Sequence, residues 1–169
     1  MLFRSLTLDE TKVNPNGDPV KLVDGELQVV DKEEADRTTA NTYTIVPGKE
    51  VLKDPTLHLD TETESYVYVT VNNQLGENAT IGWPENNRWM EIDTLDGVPV
   101  YAYDADGDKQ LTNADKVTNV ADIPVFEDIT FSSNLNATTG AGLTNQTIVV
   151  NGYAVQATAG ETPLAAWDL

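Results

Sequence analysis

What most constrains this chain is an alternation of period two, repeated in short runs. Ser65-Tyr66-Val67-Tyr68-Val69-Thr70-Val71-Asn72 sets Val67, Val69 and Val71 on one face and Tyr66, Tyr68 and Thr70 on the other. That is the pattern of a strand with one buried face. The runs 26–30, 42–46, 99–103 and 146–150 alternate in the same way, and 153–157 resumes the pattern after Asn151-Gly152. The Asn-Gly pair makes either a hairpin turn or a bulge in one long strand, and the strand-forming flanks favour the bulge. Turn residues separate the runs, as in Asn14-Pro15-Asn16-Gly17-Asp18-Pro19, Asp54-Pro55 and Asp96-Gly97. Helical spacing is scarce. Residues 32–37 read as a loop holding at most a turn or two. Residues 162–167 read as a short helix with Thr162 as N-cap and Pro163 at its first position. The expected fold is all-β: an antiparallel, jelly-roll-like β-sandwich with few short helices and an extended N-terminal strand.

Composition removes several functions. With 169 residues, 40% of them hydrophobic, the chain is long enough to bury one core without metal or disulfide staples. A formal charge of −18 repels phosphates, so nucleic acid is not an expected partner. No apolar run approaches the roughly 20 residues of a membrane helix, so no membrane insertion is expected. The chain has no cysteine and a single histidine, His58, which leaves almost no ligand set for zinc. Ser5, Ser65, Ser132 and Ser133 all lie outside a Gly-x-Ser-x-Gly elbow. Paired carboxylates carry no information among 28 acidic residues, where chance pairs are certain. The expectation is a protein without enzymatic activity and with no required cofactor.

The first eight residues form an apolar strand, with Leu2, Leu6 and Leu8 on one face and Phe3 beside them, followed by the polar stretch 9–18. The chain thus divides into an arm and linker over 1–16 and a sandwich over 17–169. Sixteen extended residues reach about 50 Å, at roughly 3.3 Å each, across a globule of about 40 Å. The arm is therefore long enough to pair either in its own sheet or in a neighbour's. Leu2, Phe3, Leu6 and Leu8 would contribute on the order of 6–10 kcal/mol of gross burial in either place.

The order of motifs resembles the TasA/camelysin family of secreted matrix proteins, which depend on a SipW-type signal peptidase. The resemblance rests on Pro47-Gly48-Lys49-Glu50-Val51-Leu52-Lys53-Asp54-Pro55 ahead of the Ser65–Asn73 strand. It rests also on Ile123-Pro124-Val125-Phe126 and on a closing segment from Asn151-Gly152-Tyr153 to Ala165-Ala166-Trp167. The matching segments are spread over residues 42–168, most of the chain, while 9–41 match poorly. The resemblance implies a secreted subunit of the extracellular matrix or cell surface. Such a subunit polymerises with copies of itself by donor-strand complementation, with Leu2, Phe3, Leu6 and Leu8 as the donor, and Met1 would follow a removed leader.

Two further features stand apart from the arm. Asp104-Ala105-Asp106-Gly107-Asp108-Lys109-Gln110-Leu111-Thr112-Asn113-Ala114-Asp115 has the spacing of an EF-hand calcium loop. Asp104, Asp106, Asp108 and Asp115 stand at positions 1, 3, 5 and 12, and the carbonyl of Gln110 at position 7. Lys109 occupies position 6, where the loop needs φ > 0, and Asp115 is shorter than the usual Glu. The readings are a weak calcium site or a solvated acidic hairpin tip. Trp83 and Trp89 flank a polar loop, where aromatics either stack on sugar rings or close the end of a sandwich. A monomeric, calcium-dependent carbohydrate-binding sandwich is the alternative function.

Overall fold

The computed structural model describes residues 3–158 and 161–168, with the side chains from Ser5 onward. Twelve strands follow in chain order: β1 (Phe3–Thr11), β2 (Val20–Val23), β3 (Glu26–Val29), β4 (Arg37–Thr38), β5 (Glu50–Leu52), β6 (Thr56–Asn73), β7 (Ala79–Gly82), β8 (Trp89–Leu95), β9 (Val98–Tyr103), β10 (Val117–Pro124), β11 (Asp128–Phe131) and β12 (Ile148–Gln156). Two short helices, α1 (Ala137–Gly142) and α2 (Pro163–Trp167), complete the set. The fold is all-β, built of antiparallel sheets, as the alternation predicts.

Strand β6 is the spine. Its first half pairs with β1 and β10, and its second half with β12 and β9. Thr56 to Thr61 have both β1 and β10 as neighbours, so those two lie on opposite edges. Ser65 has both β10 and β12, so β12 continues the edge of β1, and β9 continues that of β10. A second, three-stranded sheet has the order β5-β11-β7, and β2 and β3 form a separate hairpin.

The spine also doubles back. Gly152 of β12 pairs with Val69, twelve residues beyond Leu57 (69 − 57), which is about 40 Å along a straight strand. Yet a Cβ placed on Gly152 would stand 2.3 Å from Leu57 Cδ2 and 3.3 Å from Leu6 Cδ2. The two halves of β6 therefore face each other across one core. Leu57, Leu59, Val67, Val69, Val71, Val125 and Phe126 share it, with Leu6 and Leu8 packed against it.

Four expectations are corrected here. β12 is one continuous strand, but its register with β6 runs from Ile148 to Gln156 without a shift, so Gly152 is no bulge. A glycine stands there because two leucines occupy the space of a side chain. The Tyr66, Tyr68 and Thr70 face of β6 is also buried rather than exposed. α2 covers it: the Tyr66 hydroxyl donates to the carbonyl of Glu161, the Tyr68 hydroxyl donates to that of Pro163 at 2.7 Å, and Trp167 packs on the Tyr68 ring at 4.9 Å. Residues 42–46 form no strand; Tyr43 and Ile45 pack on the core from irregular backbone. Finally, residues 9–16 are no free linker. Lys12 donates to the carbonyl of Asp36, Val13 bridges Pro19, and Gly17 closes a turn onto Asn14.

Thr162 caps α2 through its hydroxyl, and Pro163 stands at the first position, as expected. No helix among the described residues is long and apolar enough to cross a membrane. The close approach at Gly152 gives a test. Gly152→Ala overpacks the core and lowers stability by about 1–3 kcal/mol, measured as a fall in thermal midpoint of roughly 2–4 °C per kcal/mol for a chain of this size.

Candidate functional site

The seat of the N-terminal strand is the most elaborated part of the molecule. β1 lies antiparallel to β6 in the same chain, with Leu6 opposite Leu59 and Leu8 opposite Leu57. In the isolated chain the arm thus pairs in its own sheet, the first of the two seats the sequence leaves open. Leu2, one of the four donor residues, lies outside the described residues; Phe3 pairs with Thr61.

Strand β1 changes character at Asp9. Residues 5–8 are held by the β6 ladder and by Leu6 and Leu8 against the core. Residues 9–11 are held by charge. Asp54 is 5% exposed and accepts from both the backbone N–H and the hydroxyl of Thr11, each at 2.7 Å. Lys32 at 3.2 Å and Arg37 at 3.7 Å balance its charge. Glu10, 3% exposed, accepts from Lys53 at 2.8 Å and from the Asn41 amide at 2.9 Å. Asn41 also donates to the carbonyl of Thr11 and accepts from the N–H of Val13. Two charges buried this deeply persist only when paired and fully hydrogen-bonded. Lys53 and Asp54, the end of the Pro-Gly to Lys-Asp-Pro segment, thus fasten Glu10 and Thr11 to the body. Sequence reasoning missed this network. Its one signal was the run Asp9-Glu10-Thr11, charged and polar where a strand otherwise continues.

On the solvent side, Arg37 grips Asp9 through two nitrogens at 2.6 and 2.9 Å. The His58 ring reaches Asp9 with Nε2 and Asp122 with Nδ1, both at 2.7 Å. Burial disfavours the charge on Asp9, but hydrogen bonds from His58 and Arg37 outweigh it and hold the carboxyl below its usual range. The same bonds, to Asp9 first and then Asp122, raise the His58 imidazole above its ordinary value. Neither ring nitrogen of His58 is paired with a serine.

No protein-family model, curated protein or solved structure matches this chain.

The acidic loop joins β9 to β10 along one edge of the spine, beside its bend. Asp104, Asp106 and Asp108 each bring a carboxylate oxygen within 4.8 Å of the others. Asp104 is 1% exposed and accepts from the N–H groups of Gly107 at 2.7 Å and Lys109 at 2.9 Å. Burial works against its charge, and these backbone bonds overcome it, lowering the carboxyl below its usual range. Asp115 is fully buried and takes N–H groups from Ala105 at 2.9 Å and Thr112 at 2.7 Å. There burial wins and pushes the carboxyl up. Lys109 does adopt the left-handed conformation, at φ 66°, that position 6 demands. The structure therefore gathers three of the five predicted ligands into one cluster. Asp115 binds the loop's own backbone beside Asp104, and the Gln110 N–H is held by Asp108.

The tryptophans close the sandwich. Trp89 is 5% exposed, donates to the carbonyl of Pro124 at 2.9 Å and packs on Tyr103. Trp83 packs between Tyr101 and Phe126. A groove of about 990 Å³ opens elsewhere, along Leu8, Tyr43, Ile45, Phe131 and Leu143, and neither tryptophan borders it.

The buried anchor is open to mutation. Asp54→Ala strips Thr11 of both acceptors and leaves Lys32 and Arg37 without their buried counter-charge. It lowers stability by about 2–4 kcal/mol in thermal denaturation, whereas Glu33→Ala on the exposed turn leaves the midpoint unchanged.

Proposed function

We propose that this protein is an extracellular structural subunit without enzymatic activity, related in its motifs to TasA/camelysin proteins. It assembles head to tail when the N-terminal segment of one copy, residues 1–8, takes the seat that Phe3 to Leu8 hold on the β6 edge of the next. The single observation that carries this reading is the seam at Asp9. Ahead of it the chain end is apolar and held by contacts that an identical strand reproduces. Behind it Asp9, Glu10 and Thr11 are locked to the body. Such an exchange forms the same ladder and the same leucine contacts in trans as in cis, which makes domain swapping inexpensive. The eight residues fill the acceptor's seat, so the connection between copies falls on Asp9 and the residues after it, which exchange has to free from Arg37, Lys53 and Asp54. A head-to-tail contact of this kind does not close, so it propagates.

The lack of cysteine makes a clean test. Ser5 lies opposite Asp60 on the outer face of β1 and β6. In Ser5→Cys/Asp60→Cys, exchange yields a ladder of cross-linked oligomers on a non-reducing gel and filaments by electron microscopy, and deletion of residues 1–8 abolishes both. A product that stays monomeric with an internal disulfide at every concentration overturns the reading.

The carboxylate cluster at Asp104, Asp106 and Asp108 favours a second reading, in which calcium occupies the loop and stiffens the β9–β10 edge. The side chains of Asp106 and Asp108 are exposed. Affinity belongs in the range of extracellular modules, about 10⁻⁴–10⁻³ M. At 100-fold excess over the dissociation constant, binding stabilises by about 2.7 kcal/mol. Calcium therefore raises the thermal midpoint by several degrees beyond a matched sodium chloride control, and Asp106→Asn/Asp108→Asn removes the increment. An equal midpoint in both salts argues against the site.

A further inference from the structure

The one histidine of the chain sits where three strands meet. His58 is on β6, opposite Thr7 of β1 on one edge and Asp122 of β10 on the other. Its Nε2 lies 2.7 Å from Asp9 and its Nδ1 lies 2.7 Å from Asp122. A carboxylate can only accept, and a neutral imidazole has one N–H to give. Both short contacts are hydrogen bonds only when the ring carries two protons.

We infer that His58 is a proton-operated latch on the N-terminal strand, tying β1 through Asp9 and β10 through Asp122 to the spine when protonated and releasing one of those ties when it loses a proton. The charged groups facing the ring are Asp9 on β1, backed by Arg37 of β4, and Asp122 on β10; Asp60 stands two residues along the same face of β6. Three of these four are acidic, so the surroundings favour the imidazolium. The latch sits at the seam: Asp9 is the last residue that His58 can hold before the buried anchor at Glu10 and Thr11 takes over. Loss of the proton loosens the apolar end of β1 while Asp54 keeps residues 10 and 11 in place.

The direction with pH follows from linkage. A histidine raised in the closed state contributes stability that is full below its ordinary value of about 6.5 and is lost as pH climbs through the raised one. Asp9, lowered in the closed state, contributes stability present above about 3.8 and lost as pH falls through its lowered value. The strand is therefore held most firmly in mildly acidic solution and opens more often in alkali. The opening constant rises about tenfold for each pH unit by which the closed-state value exceeds the open one.

Because the chain has a single histidine, one ring signal reports the titration by NMR. The expected midpoint lies above 6.5, with both nitrogens protonated below it. Hydrogen exchange of the β1 amides between Ser5 and Leu8, corrected for intrinsic rates, then accelerates through that same midpoint. His58→Gln removes the pH dependence. Asp122→Asn, at a side chain 70% exposed, lowers the His58 midpoint without touching the core. A midpoint at or below 6.5, or an equal pH dependence of β1 opening in His58→Gln, overturns the latch. Control of assembly by this latch rests on the exchange reading above, and the two fail separately. A titrating latch with no oligomer at any pH retires the exchange and leaves the latch, and oligomers whose β1 opening ignores pH do the reverse.

Discussion

Everything in this fold is arranged around the need to cover one strand. β6 runs for 18 residues, about three times an ordinary strand, and no single neighbour spans it. Its edges are shared end to end, β1 with β12 on one side and β10 with β9 on the other. Because its two halves fold face to face, the residues that alternate inward along both halves meet in one core. The bend is stabilised where Gly152 admits Leu57 and Leu6 from the opposing layer. The N-terminal strand is therefore not an ornament on a finished body. It supplies about one quarter of the spine's edge pairing and sets Leu6 against Gly152 where the layers meet.

That dependence makes the change of character at Asp9 consequential. Apolar contacts are non-directional and are reproduced by any identical side chain. The Thr11–Asp54 and Glu10–Lys53 pairs are directional, buried and costly to break one partner at a time. A strand built half from one kind and half from the other has a defined place at which it can come away. His58, outside the core and with both nitrogens on carboxylates, sits over that place.

Much of the architecture was legible because period two is a local property. β3, β6, β9, β12 and the capped α2 all announce themselves in the residues they contain. What was not legible was set by tertiary contact. Thr42 to Val46 alternates well enough for a strand, but Tyr43 and Ile45 pack on the core while the N–H of Thr44 goes to the loop carbonyl of Pro15, so no ladder forms. The Tyr66 and Tyr68 face reads as solvent-facing because tyrosine suits both environments. α2, nearly 100 residues later in the chain, buries it together with Ile92 of β8 and Leu111 of the acidic loop. Gly152 reads as a turn residue because a glycine forced by its opposite layer looks the same in sequence as one forced by its backbone. The same limit applies to the site. The carboxylates of the acidic loop were visible from spacing within twelve residues, while the network of Glu10, Thr11, Asn41, Lys53 and Asp54 is assembled from three distant segments.

Exchange of β1 is a competition between identical contacts, so its balance is set by terms that differ between cis and trans. An arm tethered by a few residues meets its own seat at an effective concentration on the order of millimolar. Dilute copies do not overcome that advantage through the strand alone. The remainder has to come from contacts between the joined bodies. The net charge of −18 acts against these, since two like-charged bodies held within a Debye length of about 8–10 Å repel most when salt is low. Under the exchange proposed above, such a chain would stay closed at low ionic strength and low concentration. It would assemble only where charge is screened and the seam at Asp9 is loosened, two independent conditions acting on one short strand.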